Sequence, residues 1–319
     1  MRFSDGRRGV LMSGSRPTIS VVVLSYNRPH LLRQALASIQ AQDSNLLEII
    51  VVDNRSPRSE EVAQTVAEFP SVRLISNPTN LGYTGAMNLA IKTVRGQYVL
   101  LTEDDMVLAP ACVKEFVSFL ETHPEVGLAS GLIYRHATRT IHCAGGYLSL
   151  GGTYSKKMLR LGETANGHYS EPYPVTYITG AMVFAQTDLL RRLGGFRPDF
   201  FLYSEDDELC LRVSRLGLPI MVVPRAVAEH VEHPEGPTSA RVEFHKAKNF
   251  LALYLLHAPA YCLPEFVIRY GVIVPLRQFA REPRLTVLYL AGWFFTTIRS
   301  PWLLLQRWLG LSSGRRCLA

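Results

Sequence analysis

Four short apolar runs, each followed by polar residues and then by a segment with helical spacing, constrain the fold of this chain more than any other feature. The runs are rich in Val and Ile, which is typical of parallel strands buried on both faces. Their alternation with helical segments predicts the order β-α-β-α-β-α-β and therefore a doubly wound α/β sheet. In such sheets, ligands bind beyond the carboxyl ends of the strands. The runs are residues 19–24, 48–52, 72–76 and 99–102.

The fourth run ends in three consecutive carboxylates, Glu103, Asp104 and Asp105. Adjacent like charges repel one another and are costly to remove from water, so a folded protein normally gives them a cation. Oxygen ligands of this kind suit Mg²⁺ or Mn²⁺, and a phosphate substrate commonly completes the coordination shell. The alternative is a solvated acidic turn, and the triplet alone does not decide between the two.

The segments that follow the other runs carry residues that a nucleotide could use. Tyr26 could stack on a base, and Asp53 could accept a hydrogen bond from a ring nitrogen. Gly82, at a predicted helix start, permits close approach of the backbone to phosphate. Each residue also has an ordinary structural explanation. The chain contains neither GxGxxG nor GxxxxGK[ST], which argues against a dinucleotide enzyme and a P-loop NTPase.

A second acidic cluster, residues 205–208, opens a predicted helix over residues 209–216. Carboxylates are favoured at a helix N-terminus, but four in a row exceed what capping requires. Two acidic clusters suit metal-assisted transfer with a separate general base. His230 and His233 lie in an acidic loop predicted to follow a strand at residues 221–224, and either could give an imidazole to a metal site.

Composition matters mainly through its uneven distribution. With 47% hydrophobic and 19% charged residues the chain is globular. Its five cysteines are widely spaced, with no CxxC pair, which favours a reducing compartment. The net charge of +7 is concentrated in residues 241–319, where 11 Lys and Arg face 3 Asp and Glu. That segment also holds all three tryptophans, and an apolar, basic tail fits lipid better than nucleic acid.

The two ends of the chain are predicted to lie outside the sheet. Residues 1–17 have the composition of a flexible lead-in, without the apolar core of a secretory signal. In residues 241–319 the longest stretch without a charge near the Trp residues, 285–298, has 14 residues, whereas a spanning helix needs about 17–25. We therefore expect amphipathic helices that lie on the cytoplasmic face of a membrane. The alternative is packing on the sheet or on a second copy of the chain.

Five motifs follow one another along residues 18–240: VVLSYNR (22–28), VVDN (51–54), NLG (80–82) with Gly85 and Asn88, LTEDD (101–105), and GGF (194–196) leading to YSEDDELCLR (203–212). Their order and spacing resemble the family 2 glycosyltransferases of the GT-A fold, especially the rhamnosyltransferase-like and galactofuranosyltransferase-like branch. The resemblance implies a doubly wound mixed sheet with a Rossmann-like nucleotide-binding half, followed here by a C-terminal helical, amphipathic extension.

The resemblance also implies roles for particular residues. Asp105 matches the carboxylate that binds a divalent metal, Mn²⁺ or Mg²⁺, with His230 or His233 as a further ligand. Glu103 stands where many relatives have Asp, which leaves its part in metal binding open. Asp206 matches the catalytic base, and the sugar or acceptor pocket is placed at Gly180, Ala181 and Glu205. The donor nucleotide is placed at Ser25, Tyr26, Arg28, Asp53, Gly82, Asn88 and Asp104.

The implied reaction is an inverting transfer of a sugar from a UDP- or dTDP-sugar to a hydroxyl of a lipid-linked or cell-envelope glycan. A polyprenyl phosphate acceptor is one alternative, and a nucleotide-sugar-binding protein without chemistry is another. The QxxRW motif of processive synthases is absent, since Gln306, Arg307 and Trp308 are adjacent. We therefore expect transfer of one or a few sugars.

Overall fold

The first part of the chain alternates strands and helices as the sequence predicts. The computed structural model describes residues 17–44, 46–151, 155–164, 170–231, 240–279 and 283–308. Pro29 opens the first helix, where its fixed φ suits the first turn, and Leu32 and Leu36 are buried on one face. The elements of this part are β1 (Ile19–Ser25), α1 (Pro29–Gln40), β2 (Leu46–Asp53), α2 (Ser59–Ala67), β3 (Val72–Ser76), α3 (Gly82–Thr93) and β4 (Tyr98–Glu103).

The middle of the chain is richer in strands, and the C-terminal part is helical. The middle elements are β5 (Met106–Leu108), α4 (Cys112–Thr122), β6 (Leu128–Arg135), β7 (Ile141–Cys143), β8 (Gly146–Ser149), β9 (Ser155–Met158), β10 (Tyr173–Val175), β11 (Met182–Gln186), α5 (Thr187–Arg192), α6 (Glu205–Arg215) and β12 (Ile220–His230). The C-terminal helices are α7 (Ala240–His257), α8 (Leu263–Ile268), α9 (Val274–Phe279) and α10 (Pro283–Trp308), with a π-helical turn at Arg269–Ile273.

The main sheet is mixed. Its strands lie in the order β10-β12-β6-β11-β4-β1-β2-β3, with β5 beside β12 and β7 beside β6. Strands β3, β2, β1 and β4 are parallel, and β11 runs antiparallel to β4. The carboxyl ends of β1, β2 and β4 therefore meet at one edge. This arrangement, with its C-terminal helices, confirms the predicted mixed α/β sheet.

The core lies on both faces of this sheet. Along β1, Val22 packs in one cluster with Met87 of α3. Val21 and Val23 point the other way and pack in a second cluster with Leu36 of α1. All seven residues of β1 are buried. Alternate residues thus face opposite helical layers, as expected of a central parallel strand.

Strand β12 is longer than the sequence indicated. The prediction placed a strand at residues 221–224 and His230 in the loop after it, but β12 continues to His230. Its pairing with β6 shifts register between Val223 and Val227, so a bulge accommodates Pro224, which cannot donate a ladder hydrogen bond. The loop prediction for His230 is therefore wrong, and a strand end fixes this residue.

The C-terminal helices pack on the sheet domain around a third core. In it, Phe266 stacks on Tyr254 and Trp293, and Phe200 is a buried member from the sheet domain. Helix α10 approaches α7 closely at Gly292, where a Cβ would lie 2.6 Å from the carbonyl oxygen of Phe244. Within the described part of the chain, no helix combines the length and apolarity that crossing a membrane requires.

Candidate active site

A cavity of about 540 Å³ opens at the carboxyl ends of the parallel strands. Its wall combines the ends of β1, β2 and β4, the start of α3, and the segments before and at the start of α6. The first residues of α7 complete it through Arg241 and Val242. Eight residues predicted from the sequence lie in this wall: Tyr26, Arg28, Gly82, Glu103, Gly180, Ala181, Glu205 and Asp206.

Asp104 organises the end of β1. Its Oδ2 accepts hydrogen bonds of 3.0 Å from Ser25 Oγ and from the backbone N–H of Tyr26. Arg28 Nη2 lies 2.6 Å from its Oδ1. The carboxylate is fully buried, and burial raises the pKa of Asp104 to about 6 although Arg28 opposes the rise. Asp104 thus fixes Tyr26 and Arg28 at the edge of the cavity.

Asp105 lies between a cation and an imidazole. Arg28 Nη1 is 2.5 Å from its Oδ2, and Nε2 of His230 is 3.5 Å from the same oxygen. Burial opposes ionisation, but the hydrogen bond with His230 and the charge of Arg28 hold the pKa of Asp105 below its ordinary value. Burial and the charge of Asp105 raise the pKa of Glu103 to about 7. The ring of His142 stacks on His230 at 4.6 Å, a contact that the sequence did not indicate.

These residues fit a divalent cation in part. Oδ1 of Asp105 is buried and has no hydrogen-bond partner, and carboxylate oxygen and imidazole nitrogen are ligands that Mn²⁺ accepts. Among the residues that the structure describes, however, no three His, Cys, Asp or Glu side chains are arranged to hold a metal. The protein could therefore supply Asp105 and His230, and the other ligands would come from substrate phosphate and water. His233 lies outside the described residues.

Asp206 enters the cavity from the first turn of α6. Its Oδ2 accepts hydrogen bonds from Tyr177 Oη at 2.8 Å and from the backbone N–H of Gly180 at 3.3 Å. Lys156 Nζ lies 2.8 Å from Oδ1 of the neighbouring Asp207 and 3.7 Å from the centre of the Tyr177 ring. The carboxylate of Asp206 is therefore held by fixed donors while it faces the cavity.

The other acidic residues of this cluster differ in environment. Burial and the charge of Asp206 raise the pKa of Glu205 well above its ordinary value, so the environment of Glu205 favours the neutral carboxylic acid over the carboxylate. Glu208 is fully buried and is bound by Arg212 and His257. Of this cluster, Glu205 and Asp206 line the cavity, and Glu208 is buried away from it.

The family model described as "Glycosyl transferase family 2" matches residues 20–186. This chain belongs to glycosyl transferase family 2. The prediction of a glycosyltransferase is thereby confirmed. The match contains the acidic triplet and ends before α6, so this family 2 glycosyltransferase carries Asp206 in the segment that follows.

Curated relatives are similar over about two thirds of the chain. The O-antigen biosynthesis protein RfbC of Myxococcus xanthus is 30% identical over 226 residues, which cover 68% of this chain and 17% of that protein. The N-acetylglucosaminyl-diphospho-decaprenol L-rhamnosyltransferase of Mycobacterium tuberculosis (strain ATCC 25618 / H37Rv) is 23% identical over 252 residues. These residues cover 72% of this chain and 82% of that protein. The chain thus spans less than a fifth of the first relative and most of the second.

Two solved structures share the fold. GalNAc-T7 with UDP, GalNAc and Mn²⁺ has a TM-score of 0.62 at 15% identity, covering 93% of this chain and 57% of that one. The mannosyltransferase PcManGT from Pyrobaculum calidifontis with GDP-Man and Mn²⁺ has a TM-score of 0.55 at 18% identity. The match covers 95% of this chain and 88% of the mannosyltransferase. These likenesses confirm the GT-A fold of the family 2 glycosyltransferase.

Two predicted donor residues of this glycosyltransferase have structural partners away from the cavity. Asp53 is buried, and its Oδ1 accepts a hydrogen bond from the backbone of Ser56. The amide of Asn88 exchanges hydrogen bonds of 2.7 and 2.8 Å with the backbone of Phe196. Asn88 thus fixes the turn after α5, and the structure does not bring it into the cavity wall.

Several wall residues were not singled out from the sequence. Asn54 donates to Asn80 and to the carbonyl of Gly82, and Asn54 and Asn80 both line the cavity. Asn54 belongs to the VVDN motif and Asn80 to the NLG motif, so the motifs could have indicated both residues. Phe201 and Arg241 also line it, with the Arg241 guanidinium 4.4 Å from the Phe201 ring. No local pattern marked these two, because the fold brings them together.

Proposed function

We propose that this chain catalyses an inverting transfer of a sugar from a nucleoside-diphosphate donor to a hydroxyl of a lipid-linked or cell-envelope glycan. The observation that carries the proposal is the meeting of the two acidic clusters at one cavity. Glu103 and Asp206 are about a hundred residues apart in the sequence, yet both line this cavity together with Arg28. This supports a region for metal and phosphate at the end of β4 that would lie next to the proposed base, Asp206.

The donor would bind at the ends of β1, β2 and β4. Tyr26 is 44% exposed at the cavity edge and offers a face for a nucleobase. Arg28 offers a guanidinium to the diphosphate, a group that Arg recognises well. A divalent cation bound by Asp105 and His230 would neutralise negative charge on the departing nucleoside diphosphate. Glu205, which also lines the cavity, would hold a hydroxyl of the transferred sugar.

Asp206 would act on the acceptor. As the acceptor oxygen forms a bond to the anomeric carbon, its proton passes to the Asp206 carboxylate. The bond from the anomeric carbon to the diphosphate oxygen breaks, and its electron pair leaves with the nucleoside diphosphate. A single displacement inverts the configuration at that carbon. Positioned base catalysis is typically worth about 10²–10⁴ in rate.

The nature of the acceptor is inferred from the relatives and from the surface. One relative is named for transfer to a diphospho-decaprenol-linked sugar and another for O-antigen biosynthesis, which supports a lipid-linked or envelope glycan as the acceptor. Such an acceptor would place the enzyme on the cytoplasmic face of a membrane.

An exposed apolar face on the C-terminal helices supports this location. On α10 the buried side faces α7, yet the outer side is apolar too, with Phe294 69% and Trp308 82% exposed. Arg269, Arg277 and Arg284 lie among these side chains and are themselves exposed. Apolar side chains interleaved with arginines suit the interface of an anionic leaflet. The exposed apolar residues of α8, α9, α10 and the turn between α8 and α9 include Val267, Ile268, Val272, Leu276, Val287, Leu290, Phe294, Ile298, Trp302 and Trp308.

The reaction is tested by release of nucleoside diphosphate from UDP-, dTDP- and GDP-sugars with Mn²⁺, Mg²⁺ or EDTA. We expect slow metal-dependent hydrolysis of one donor, abolished in Asp105→Ala, while Asp206→Asn still binds that donor and loses transfer to an acceptor. Asp43→Asn, at a carboxylate 72% exposed outside the cavity, serves as the control. Transfer that survives Asp206→Asn would favour a phosphate acceptor, and absence of donor binding would overturn the proposal.

The membrane contact is tested by sedimentation of the full chain with vesicles. We expect binding to vesicles containing anionic phosphatidylglycerol and little to pure phosphatidylcholine. Replacing Val287, Phe294 and Ile298 together by Ser should abolish binding without loss of donor hydrolysis. Leu47→Ser, at an apolar residue 43% exposed on β2, should bind as the unchanged protein does. Equal sedimentation of the triple variant would refute this surface.

A further inference from the structure

The segment that immediately precedes α6 has an unusual backbone. Phe201, Tyr203 and Ser204 have φ values of +62°, +69° and +60°. Residues with a side chain seldom adopt this left-handed region, and such backbone persists where its surroundings hold it in place. Residues 200–203 are called the cavity loop here. The cavity loop leads directly into Glu205 and Asp206.

One side chain from the C-terminal extension holds this loop. Asn249 of α7 is fully buried, and its Nδ2 donates to the carbonyl oxygens of Phe200 at 2.7 Å, Leu202 at 2.8 Å and Tyr203 at 2.6 Å. An amide nitrogen carries two hydrogens, so the three carbonyls share them. Because all three partners are acceptors, the nitrogen rather than the oxygen must face the loop.

The cavity loop has two roles at the site. Phe201, Leu202 and Tyr203 line the cavity, and the carbonyl of Phe201 accepts a hydrogen bond of 3.3 Å from the backbone of Thr84 at the start of α3. The loop is therefore fastened to α3 on one side and to α7 on the other. Its far end sets where α6 begins and so where Asp206 enters the cavity.

We propose that Asn249 is a positioning residue for sugar transfer: by holding the cavity loop it sets the acceptor side of the cavity and the place of Asp206. Asn249 does not line the cavity, so it acts only through the loop. The effect of Asn249 on sugar transfer rests on the proposed function, whereas its hold on the cavity loop does not. It also gives α7, which lies beyond the matched residues 20–186, a part in catalysis.

The mechanism predicts a selective defect. Without the amide, three buried carbonyls lose a shared donor, and the left-handed loop relaxes towards ordinary backbone. Asp206 then samples positions away from the acceptor hydroxyl, and transfer slows because base catalysis depends on geometry. The donor side is built from β1, β2, β4 and α3, so donor binding is kept.

The test compares Asn249→Leu, which keeps the volume and removes the donor, with Thr296→Val. Thr296 is buried on α10 and donates to the carbonyl of Lys248 on α7, so its variant removes a buried hydrogen bond to α7 next to Asn249 but leaves the Asn249 amide in place. Hydrogen exchange is measured on the peptide covering residues 199–204 of the ligand-free full chain. Donor affinity, kcat and acceptor KM are measured in parallel.

We expect Asn249→Leu to speed exchange in that peptide at least tenfold and to lower kcat for transfer at least tenfold, with donor affinity within twofold of the unchanged protein. Thr296→Val should change none of the three. If Asn249→Leu does not fold, Asn249→Asp, which keeps the shape and loses the N–H₂ group, takes its place. If hydrogen exchange is unchanged in the folded variant, Asn249 does not hold the cavity loop. If exchange is faster but kcat is unchanged, Asn249 is not a positioning residue for transfer. Failure of the proposed function would leave the exchange result intact.

Discussion

The phenol of Tyr177 donates a 2.8 Å hydrogen bond to Oδ2 of Asp206. Burial and the charge of Asp206 raise the pKa of Tyr177 well above its ordinary value, so the phenol keeps its proton at any physiological pH. The backbone N–H of Gly180 reaches the same oxygen. These two donors on Oδ2, together with the backbone N–H of Asp207, which donates to Oδ1 at 2.8 Å, fix the rotation of the carboxylate.

Replacing Tyr177 by Phe should therefore slow transfer while the donor still binds. We expect kcat to fall about fivefold, since the loss of one hydrogen bond of about 1 kcal/mol corresponds to a factor of about five in rate. Steady-state kinetics with the identified donor would measure it. Tyr173→Phe is the matched control, because Tyr173 donates to the carbonyl of Ala144 and does not line the cavity. Equal losses in both variants would contradict a specific role for Tyr177.

Arg28 is the cation that the two buried carboxylates Asp104 and Asp105 share. Breaking a fully buried pair costs about 3–5 kcal/mol because a charge is left without a partner. Since the Arg28 side chain is 30% exposed, Arg28→Ala should lower stability without metal by less, about 2 kcal/mol. This corresponds to roughly 5 °C in melting temperature. Because Mn²⁺ would supply the missing charge, it should raise the melting temperature of the variant more than that of the unchanged protein.

The control for Arg28 is Arg33→Ala, at an exposed pair with Glu68. Exposed pairs contribute little to stability, so this variant should melt close to the unchanged protein and respond to Mn²⁺ in the same way. Thermal melts with Mn²⁺ and with EDTA provide the comparison. An Arg28→Ala protein that Mn²⁺ stabilises no more than the control would remove Asp105 from the metal site.

The edge of the sheet at which the cavity opens could be predicted because parallel topology places strand ends side by side. Once β1, β2 and β4 are recognised from their apolar runs, the residues that follow them must meet at one edge. The acidic cluster at residues 205–208 and the motif order both pointed to Asp206, but no pattern in the sequence shows that it reaches the cavity. It does so because β11 pairs antiparallel with β4 and carries Gly180 and Ala181 to that edge, where the backbone N–H of Gly180 binds Asp206.

The remaining differences have physical reasons of the same kind. A strand interrupted by Pro224 looks like a short strand and a loop, so the extension of β12 to His230 was missed. Asn88 matched a motif, but Gly195 lies so close that a Cβ there would be 2.1 Å from its Oδ1, which explains its use in a turn. Asn249 on an apolar helix gave no sign of the three carbonyls that it binds, since these belong to another part of the chain.

Both the backbone conformation and the space around residue 82 require a glycine at this position. Its φ is +69°, and a Cβ would lie 2.3 Å from the carbonyl oxygen of Phe201. Gly82→Ala should therefore lower the free energy of unfolding by more than 2 kcal/mol, the sum of about 1–2 kcal/mol of backbone strain and a clash with the cavity loop. Gly194→Ala separates the two effects, since Gly194 has φ +76° and open space around it, and should cost only the strain. Urea unfolding that gives equal losses for both variants would exclude the clash.

Glu208 makes the free energy of unfolding depend on pH. Burial opposes its ionisation, yet the charge of Arg212 and the hydrogen bond from His257 hold the pKa of Glu208 at about 2, against 4.5 ordinarily. Below about pH 5 the unfolded chain takes up this proton and the folded chain does not, so the group's contribution is present above pH 4.5 and is lost as the pH falls towards 2. A difference of this size corresponds to about 3 kcal/mol.

We therefore expect the free energy of unfolding in urea to fall between pH 5 and pH 3, and to fall less steeply in Glu208→Gln. The Gln side chain keeps the shape and an acceptor for Arg212 but takes up no proton, so the variant is less stable at pH 7 and approaches the unchanged protein as the pH decreases. Glu68→Gln removes only an exposed pair and should leave the slope unchanged. An identical slope in Glu208→Gln would mean that other carboxylates carry the acid sensitivity, because a group that titrates only in the unfolded state must contribute to it.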